Sequence, residues 1–586
     1  MRRGFLLLAV LICFGCGSGV DDITITIPDV TTPDTTPPGS TRDKITVSEL
    51  TGSFSPTRMI HNAYFLPVGP EQAAQHALAG RLTVGADTMK RNPGGAANQT
   101  FFPGFSVDFF THNGFLVPVN RGIQQPSNRS FWTILCSPGR VWSEPGDEGR
   151  SRAAFPFVLG DHFDNAAHNG VATFVFDDQG VSQLRMQIMQ ESAAWDMFDG
   201  WGQYPMQYTP GDAAGFADAR AAFEAERAQR LPVRPIAELG LDAGRLQFFD
   251  AGLTANEITF RAIVKDGVIY QDTPETRLGP FPFPEYMRGG AFSVTKSIGA
   301  GLSLMFLAQA FGPELLDEKI VDWLPVNAGH DGWAEVTFSD CADMRTGIGD
   351  LSPNRNTLDV FADENKSRMG EWSNQLSESG KLTICWNYGN YPWGPGEVTR
   401  YNTTHTFVLS AALQRWAAAN GIPNGDYHGY IAEHLLARIG VVNAPMMRTV
   451  ETNGEQGSPI LGVGLYPTVH DLAKITEFMQ HGGTLDGEPL LHPQTLAEAL
   501  FLQPDTAYAT GNRINGLPEL YRHGFWSFPT AGDTCTVQVP YMSGYGGNMV
   551  VVAPNGYTGI RFSDSLNYTI EGMVNTLQAL EPFPCP

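Results

Sequence analysis

The chain has 586 residues and the composition of a globular protein, with 42% hydrophobic residues, and a chain of this length normally divides into about two to four domains. It carries 61 acidic and 38 basic side chains, which give a formal net charge of −23. Binding to nucleic acid or to an anionic membrane surface depends on clustered Lys and Arg, so this charge argues against both functions.

The N-terminus has the pattern of an export signal. Two arginines precede an apolar stretch from Phe5 to Phe14, which is too short to span a bilayer and ends just before Cys16. This pattern resembles a bacterial lipoprotein signal, in which the cysteine becomes the lipidated first residue; an ordinary cleaved signal peptide is the alternative. We expect residues 1–16 to be the signal peptide and Cys16 to carry a lipid. The protein would then be exported and held at a membrane, facing the periplasm or the cell surface.

Residues 17–44 are rich in Thr, Pro and Asp, as in the run PDVTTPDTTPPGS. Such a composition supplies too few apolar side chains to form a core. We therefore expect this segment to be a flexible linker between the anchor and the rest of the chain.

Residues 45–210 have the pattern of a β-rich accessory domain. Polar and apolar residues alternate over 104–109, before a turn at Asn113-Gly114, and a second hairpin pattern surrounds residues 177–180. A sandwich of two sheets is the expected form. Residues 211–235 follow as a helical connector, rich in Ala, Glu and Arg and broken at the end by Pro232 and Pro235.

One loop of this β-rich region contains side chains that can bind metals. Asp161, His162, Asp164 and His168 lie within a short stretch. A polar surface loop is the more common form of such a stretch, and no Gly-rich phosphate loop follows a strand in this chain. We expect neither a metal nor a cofactor.

Five cysteines follow Cys16, and export would place them in an oxidising compartment. An odd number leaves at least one thiol unpaired unless it pairs between chains. A bond between Cys535 and Cys585 would staple the C-terminal tail, although the sequence does not fix the connectivity. None of the cysteines has metal-ligand spacing. The five are Cys136, Cys341, Cys385, Cys535 and Cys585.

Residues 236–586 mix helix and strand patterns and contain a single Ser-x-x-Lys element, Ser293-Val294-Thr295-Lys296. A spacing of three places Ser293 and Lys296 on one face of a helix. The residues that follow are apolar nearly all round, which predicts a buried helix. Burial and the positive helix N-terminus both disfavour an ammonium, and a lysine pKa near 7–8 instead of about 10.4 would make Lys296 a base. Neutral Lys296 could then take the proton of Ser293 and leave an alkoxide nucleophile.

Four segments of this region resemble the penicillin-recognising serine hydrolase family in order and spacing. That family contains class C β-lactamases, D-alanyl-D-alanine peptidases, family VIII esterases and 6-aminohexanoate-dimer hydrolases. The order of four segments is far more specific than any one of them. The segments are residues 292–297, residues 336–348, Pro395-Gly396-Glu397 with Tyr401-Asn402-Thr403, and residues 471–487.

The resemblance implies an α+β fold of the β-lactamase/transpeptidase type over residues 236–586. Its parts would be an antiparallel sheet flanked by helices and an all-helical subdomain, with the β-rich domain at the N-terminal side. It also implies that Tyr401 is the second general base and acid, and that the backbone N–H groups of Ser293 and Tyr545 form the oxyanion hole. Residues 351–394 match no segment of the family.

Two positions depart from the family pattern. The third family motif falls on Met542-Ser543-Gly544, where Met542 replaces a lysine or histidine that would serve the substrate carboxylate, and Met cannot donate a hydrogen bond. Thr403 replaces the usual asparagine of the Tyr-x-Asn element. These residues are expected to line the substrate pocket, and both changes put β-lactam hydrolysis in doubt.

The function that the sequence favours is a serine hydrolase that cleaves a small-molecule ester or amide through an acyl-enzyme on Ser293. The alternatives within the enzyme class are a cell-wall D-alanyl peptidase and a β-lactamase. The alternative of another class is a non-catalytic penicillin-binding-like lipoprotein that binds its ligand through the β-rich unit.

Overall fold

The computed structural model describes residues 32–91, 97–125, 130–161, 163–192, 199–350, 359–364 and 367–585. The predicted signal peptide, its Cys16 and His162 lie outside these residues. Within them, no helix combines the length and the apolar character that a membrane crossing requires. Two large sheets and a set of helices make up the described part of the chain.

The N-terminal sheet is antiparallel and has twelve strands. Two strands pair beside its main path, Thr133–Cys136 next to Ser151–Gly160 and Gly180–Val181 next to Ala167–Asp177. In spatial order the ten strands of the path are Met206–Pro210, Ala79–Val84, Phe105–His112, Phe115–Pro118, Gly139–Trp142, Ser151–Gly160, Ala167–Asp177, Leu184–Ser192, Gly200–Tyr204 and Lys90–Arg91.

Both hairpins expected in this region are present. Phe105–His112 pairs with Phe115–Pro118 across Asn113 and Gly114, which both have positive φ. The expected sandwich is wrong, because hydrogen bonds join the strands into one continuous sheet rather than two. Its central strand Ser151–Gly160 is buried at every position, so both faces of the sheet are covered.

The linker prediction fails for the part of residues 17–44 that the structure describes. Asp34 donates its N–H to the carbonyl of Met59 at 3.0 Å. Arg42 donates to the carbonyls of Tyr64 at 2.7 Å and Leu66 at 2.8 Å. Backbone pairing and one buried arginine tie this stretch to the body of the protein, which composition alone does not reveal. The expected connector region, residues 211–235, contains an α-helix over Phe216–Ala228.

The C-terminal sheet has nine strands, antiparallel except for one parallel pair at its edge. In spatial order these are Val233–Arg234, Val268–Tyr270, Ile258–Lys265, Thr558–Ser563, Asn548–Val552, Thr536–Gly544, Phe525–Ala531, Leu517–Arg522 and Tyr508–Ile514. Five short pairs complete the strands: Asp87–Thr88 with Phe101–Phe102, Glu275–Thr276 with Gly279–Pro280, Ile348–Gly349 with Gly389–Asn390, Arg448–Val450 with Gln456–Pro459, and Thr484–Leu485 with Glu488–Pro489.

Helices cover both faces of the C-terminal sheet. In the strand Ile258–Lys265, Phe260 lies in the same buried cluster as Leu472, whereas Ile263 lies in the cluster of Met573. Adjacent positions of a strand point to opposite faces, so the helices Val469–Gln480 and Glu571–Leu580 pack on opposite sides. The mixed fold with an antiparallel sheet flanked by helices is confirmed. The α-helices are Val47–Thr51, Phe216–Ala228, Ala243–Phe249, Leu302–Phe311, Ile320–Trp323, Phe338–Ala342, Ser367–Ser373, Glu378–Trp386, Thr403–Ala419, Tyr427–Ile431, Val469–Gln480, Pro493–Ala499 and Glu571–Leu580.

One hydrophobic core extends through both sheets. Val171 and Met189 of the N-terminal sheet belong to the same buried cluster as Phe260 and Phe562 of the C-terminal sheet. Most of the regular secondary structure in the described residues between 302 and 446 is helical, and this stretch packs into the cluster through the buried helix Thr403–Ala419. The two sheets are therefore parts of one packed body.

One disulfide closes the C-terminal tail. Cys535 bonds to Cys585, which confirms the suggested pairing. The thiols of Cys136, Cys341 and Cys385 are free and buried.

Candidate active site

Ser293 lies at the start of a buried helical segment. A π-helical turn runs over Lys296–Gly301 and continues as the α-helix Leu302–Phe311. Gly301 permits this turn, because a Cβ there would lie 2.2 Å from the carbonyl oxygen of His523. The Ser297 hydroxyl donates to the carbonyl of Gly524 at 2.6 Å and fastens the turn to the C-terminal sheet. The residue spacing predicts a helix here, but it does not predict the π-helical turn.

Lys296 is 1% exposed and its Nζ atom has three partners at 2.8 Å. These are the hydroxyl of Ser293, the hydroxyl of Thr403 and the carbonyl of Gly462. Burial lowers the pKa of Lys296 from 10.5 to about 8, against an opposing effect of Glu364. The structure therefore brings Ser293 and Lys296 together, with an amine that loses its proton at lower pH than an ordinary lysine.

Tyr401 completes the group that the sequence singled out. Its ring centroid lies 4.8 Å from Lys296 Nζ, and its side chain lines the same cavity as Ser293. Burial raises its pKa well above 10.0. This shift favours the protonated phenol.

Glu364 is a site residue that the sequence did not indicate, because it lies in the stretch 351–394 that matched no family segment. Its carboxylate accepts the backbone N–H of Thr403 at 2.7 Å and also the Thr403 hydroxyl. Thr403 is the first residue of the helix Thr403–Ala419, so the carboxylate also lies at a positive helix N-terminus.

These contacts set the direction of the hydrogen bonds around Lys296. A carboxylate only accepts, so the Thr403 hydroxyl must give its proton to Glu364 and accept from Lys296. The Gly462 carbonyl also only accepts. A neutral amine has two N–H groups and one lone pair, and both N–H groups are thereby used. The lone pair is left for the proton of Ser293.

A cavity of about 960 Å³ opens at Ser293. Aromatic side chains form much of its wall, and the stacked pair Phe361 and Trp526 has ring centroids 5.3 Å apart. Four carboxylates also reach it, and the described lining residues include no Lys or Arg. The aromatic lining residues are Phe163, Phe292, Phe361, Trp372, Tyr401, Trp526, Tyr541, Tyr545 and Tyr568; the acidic ones are Asp164, Asp359, Glu364 and Glu519.

The residues predicted to line the substrate pocket fall into two groups. Thr403, Ser543 and Gly544 line the cavity. Met542 does not: it is fully buried in the hydrophobic core. Neighbouring side chains on a strand point to opposite faces, so the strand that presents Ser543 to the cavity turns Met542 away from it. The prediction that Met542 lines the substrate pocket is therefore wrong.

The backbone around the nucleophile is tightly held. Phe292 has φ of 45°, a left-handed conformation that costs a non-glycine residue on the order of 1–3 kcal/mol. Gly544 allows the neighbouring strand to approach, because a Cβ there would lie 2.4 Å from the carbonyl oxygen of Ala291. Ser293 and Tyr545, the two predicted oxyanion-hole residues, both lie at the cavity.

The loop with potential metal ligands has another role in the described residues. Asp161 accepts the backbone N–H groups of Phe163 and Asp164, each at 2.7 Å, so its carboxylate shapes the loop. In the part of the chain that the structure covers, no group of three or more His, Cys, Asp or Glu side chains could hold a metal ion.

No family model and no curated protein matches the chain. Among solved structures it is similar to a penicillin-binding protein homologue from Caulobacter crescentus, at 16% identity and a TM-score of 0.40, over 61% of this chain and 98% of the other. It is also similar to a D-stereospecific amidohydrolase from a Streptomyces species, at 13% identity and a TM-score of 0.39, over 58% and 98%. A family VIII carboxylesterase matches at 14% identity and a TM-score of 0.41, over 60% and 99%.

Proposed function

We propose that this protein is a serine hydrolase that cleaves esters or small amides through an acyl-enzyme on Ser293. The observation that carries the proposal is the meeting of three side chains: Lys296 Nζ lies 2.8 Å from Ser293 Oγ and 4.8 Å from the ring centroid of Tyr401, and both of these partners line the cavity. A nucleophile within reach of a base, with a third group that orients the base, is the general arrangement for covalent catalysis.

Acylation begins with proton transfer from the Ser293 hydroxyl to neutral Lys296. Ser293 Oγ bonds to the substrate carbonyl carbon, and the carbonyl oxygen becomes an oxyanion. The backbone N–H groups of Ser293 and Tyr545 are proposed to bind this oxyanion. When the tetrahedral intermediate collapses, the bond to the leaving group breaks and the acyl group remains on Ser293.

Tyr401 is proposed to act as a proton relay rather than as a phenolate base. A phenol whose pKa lies well above 10.0 gives its proton only as another one arrives. Protonated Lys296, whose Nζ lies 4.8 Å from the centre of the phenol ring, is proposed to supply it. The leaving group departs with the proton from Tyr401, and Lys296 reprotonates the phenol. In deacylation a water molecule gives a proton to Lys296, attacks the acyl carbon and releases the acid, while the proton returns to Ser293.

The cavity favours substrates with an apolar acyl group. Its aromatic wall offers apolar area near Ser293, and burial of apolar surface contributes roughly 25 cal/mol per Å². The four carboxylates at the cavity would repel a substrate carboxylate. For both reasons we favour neutral esters and amides over β-lactams and D-alanyl peptides, which carry a carboxylate.

The test is a substrate panel of p-nitrophenyl esters, nitrocefin and D-alanyl peptides. We expect ester hydrolysis by the wild type and none by Ser293→Ala. Ser373→Ala, which changes another serine at the same cavity, is the control and should keep the activity. If nitrocefin or D-alanyl peptides are hydrolysed faster than the esters, the protein is a β-lactamase or a peptidase rather than an esterase. No turnover and no acylation of the wild type would favour the non-catalytic binder.

We also propose that the protein is exported and anchored through a lipid on Cys16, on the sequence pattern of residues 1–16. The full-length protein should then partition into the membrane fraction of a bacterial host. The Cys16→Ser variant should be released or remain unprocessed. Equal partitioning of both forms into the soluble fraction would contradict the anchor.

A further inference from the structure

The N-terminal sheet touches the segment that leads to the nucleophile. The backbone of residues 288–292 is held from two sides. On one side, Gly289 and Ala291 donate to the carbonyls of Pro467 at 3.1 Å and Leu465 at 2.9 Å. On the other side, the alternate residues bond to side chains of the N-terminal sheet and of the loop that precedes its strand Ala167–Asp177.

Three buried polar side chains form this second side. Asn169 accepts the N–H of Arg288 at 3.1 Å and donates to its carbonyl at 2.8 Å. Ser192 accepts the N–H of Gly290 at 2.6 Å. Buried backbone N–H groups need hydrogen-bond acceptors. In this segment every second N–H group finds its acceptor in a part of the chain about a hundred residues earlier. Asn169 is 119 residues from Arg288, and Ser192 is 98 residues from Gly290.

The third contact is next to the nucleophile itself. Asn165 is 0% exposed, and its Oδ1 atom accepts the N–H of Phe292 at 2.6 Å. Phe292 is the residue with φ of 45°, and Ser293 follows it directly. The approach is close, because a Cβ on Gly290 would lie 1.6 Å from the carbonyl oxygen of Asn165. Asn165 thus holds a strained residue whose conformation sets the direction of Ser293.

The same stretch of chain forms part of the cavity wall. Phe163 and Asp164 line the cavity at Ser293, and Phe163 is supported by the ring of Phe131 at a centroid distance of 5.7 Å. A side chain of the loop before the strand Ala167–Asp177 therefore faces the place where the acyl group would bind.

We propose that the N-terminal sheet is a component of the catalytic centre rather than a separate binding module. In this proposal Asn165 is a positioning residue that orients Ser293 through Phe292, and Phe163 helps to select the acyl group. The proposal rests on the proposed function of Ser293 as the nucleophile.

The first test compares Asn165→Ala with a matched control, Asn169→Ala. The control also removes a buried amide that bonds to residues 288–292, but its partner is Arg288, four residues before Phe292. A small displacement of a reacting atom can cost about 100-fold in rate, so we expect Asn165→Ala to lower kcat by about 10- to 100-fold with little change in KM. Asn169→Ala should lower kcat much less at a comparable loss of thermal stability. Asn165→Asp, which keeps the accepting oxygen, should recover part of the rate. Equal kcat for the two alanine variants would overturn the positioning role.

A second readout does not depend on catalysis. Hydrogen–deuterium exchange of a peptide that contains Phe292 should be faster in Asn165→Ala than in the wild type, because the accepting oxygen of that N–H is gone. Unchanged exchange would reject the contact even if the protein hydrolysed no ester. If Asn165→Ala exchanges faster but Ser293→Ala keeps the esterase activity, the proposed function is rejected and the contact is confirmed.

A third test concerns the cavity wall. Phe163→Ala should raise KM several-fold for p-nitrophenyl esters with long acyl chains and leave KM for the acetate near the wild-type value. The same change for all chain lengths, or for none, would contradict a role in acyl selection.

Discussion

Glu364 accepts two hydrogen bonds from Thr403, one from the backbone N–H at 2.7 Å and one from the hydroxyl. This pair fixes the Thr403 hydroxyl as an acceptor toward Lys296 and so leaves the amine lone pair for Ser293. It also places a negative charge that raises the pKa of Lys296 against the effect of burial. Glu364 is thus a positioning residue that acts on the base through Thr403.

The first prediction is that Glu364→Gln lowers kcat and shifts the pH dependence of the reaction. A glutamine amide can donate to the Thr403 hydroxyl, which is then free to compete for the Lys296 lone pair. Without the carboxylate the pKa of Lys296 falls, so the acidic limb of the kcat/KM profile should move to lower pH. Full pH profiles of both enzymes measure this.

Two variants of Thr403 serve as controls for that interpretation. Thr403→Ser keeps the hydroxyl and should stay near the wild type. Thr403→Val removes the hydroxyl and should lose activity as Glu364→Gln does. A Glu364→Gln profile with the wild-type midpoint would show that the carboxylate has only a structural role.

The second prediction concerns Lys296 as a base. Its pKa of about 8 predicts that kcat/KM rises with pH to half its plateau near pH 8. Lys296→Met should abolish most turnover and also this rise. If the kcat/KM profile of Lys296→Met keeps the midpoint of the wild type, or if its turnover is close to that of the wild type, Lys296 is not the base.

The same lysine makes a third prediction, on stability. The unfolded chain has the ordinary lysine pKa of 10.5 and the folded chain about 8, so between these values the unfolded state binds more protons. The free energy of unfolding should therefore rise with pH across this window, by roughly 3 kcal/mol from this group. Urea unfolding at pH 7 and pH 10 should show the rise in the wild type and a smaller one in Lys296→Met. Equal pH dependence in the two proteins would contradict the burial effect.

The fourth prediction separates Tyr401 from Lys296 by the leaving group. A p-nitrophenolate leaves without a proton, whereas an alkoxide or an amine needs one. Tyr401→Phe should therefore slow the hydrolysis of alkyl esters and amides much more than that of p-nitrophenyl esters. An equal loss for both leaving groups would argue against Tyr401 as the proton relay.

The sequence predicted those parts of the molecule that depend on local pattern. The hairpin at Asn113 and Gly114 follows from alternation and turn residues, and the pairing of Ser293 with Lys296 follows from a helical spacing of three. The strand order of the N-terminal sheet does not, because Met206–Pro210 pairs with Ala79–Val84 across a long stretch of chain. Such pairings depend on the packing of the whole core rather than on any local signal.

The site residues that the sequence did not predict are those that act through tertiary contacts. Asn165 meets Phe292 across 127 positions of the chain, and nothing in its neighbours indicates that contact. Glu364 lies in a stretch without a recognisable motif, and a single Glu in a loop carries no signal of its own. The family motif predicts Met542 at the pocket, but the side chain points into the core, because neighbouring side chains on a strand point to opposite faces.

The most direct test of the central claim, that Ser293 is a nucleophile activated by Lys296, is the labelling of the wild-type protein with a fluorophosphonate, followed by peptide mass spectrometry. We predict one adduct, on Ser293, that forms faster as pH rises through about 8, and no adduct in Ser293→Ala. An adduct on another residue, or labelling of Ser293→Ala at the wild-type rate, would contradict the claim.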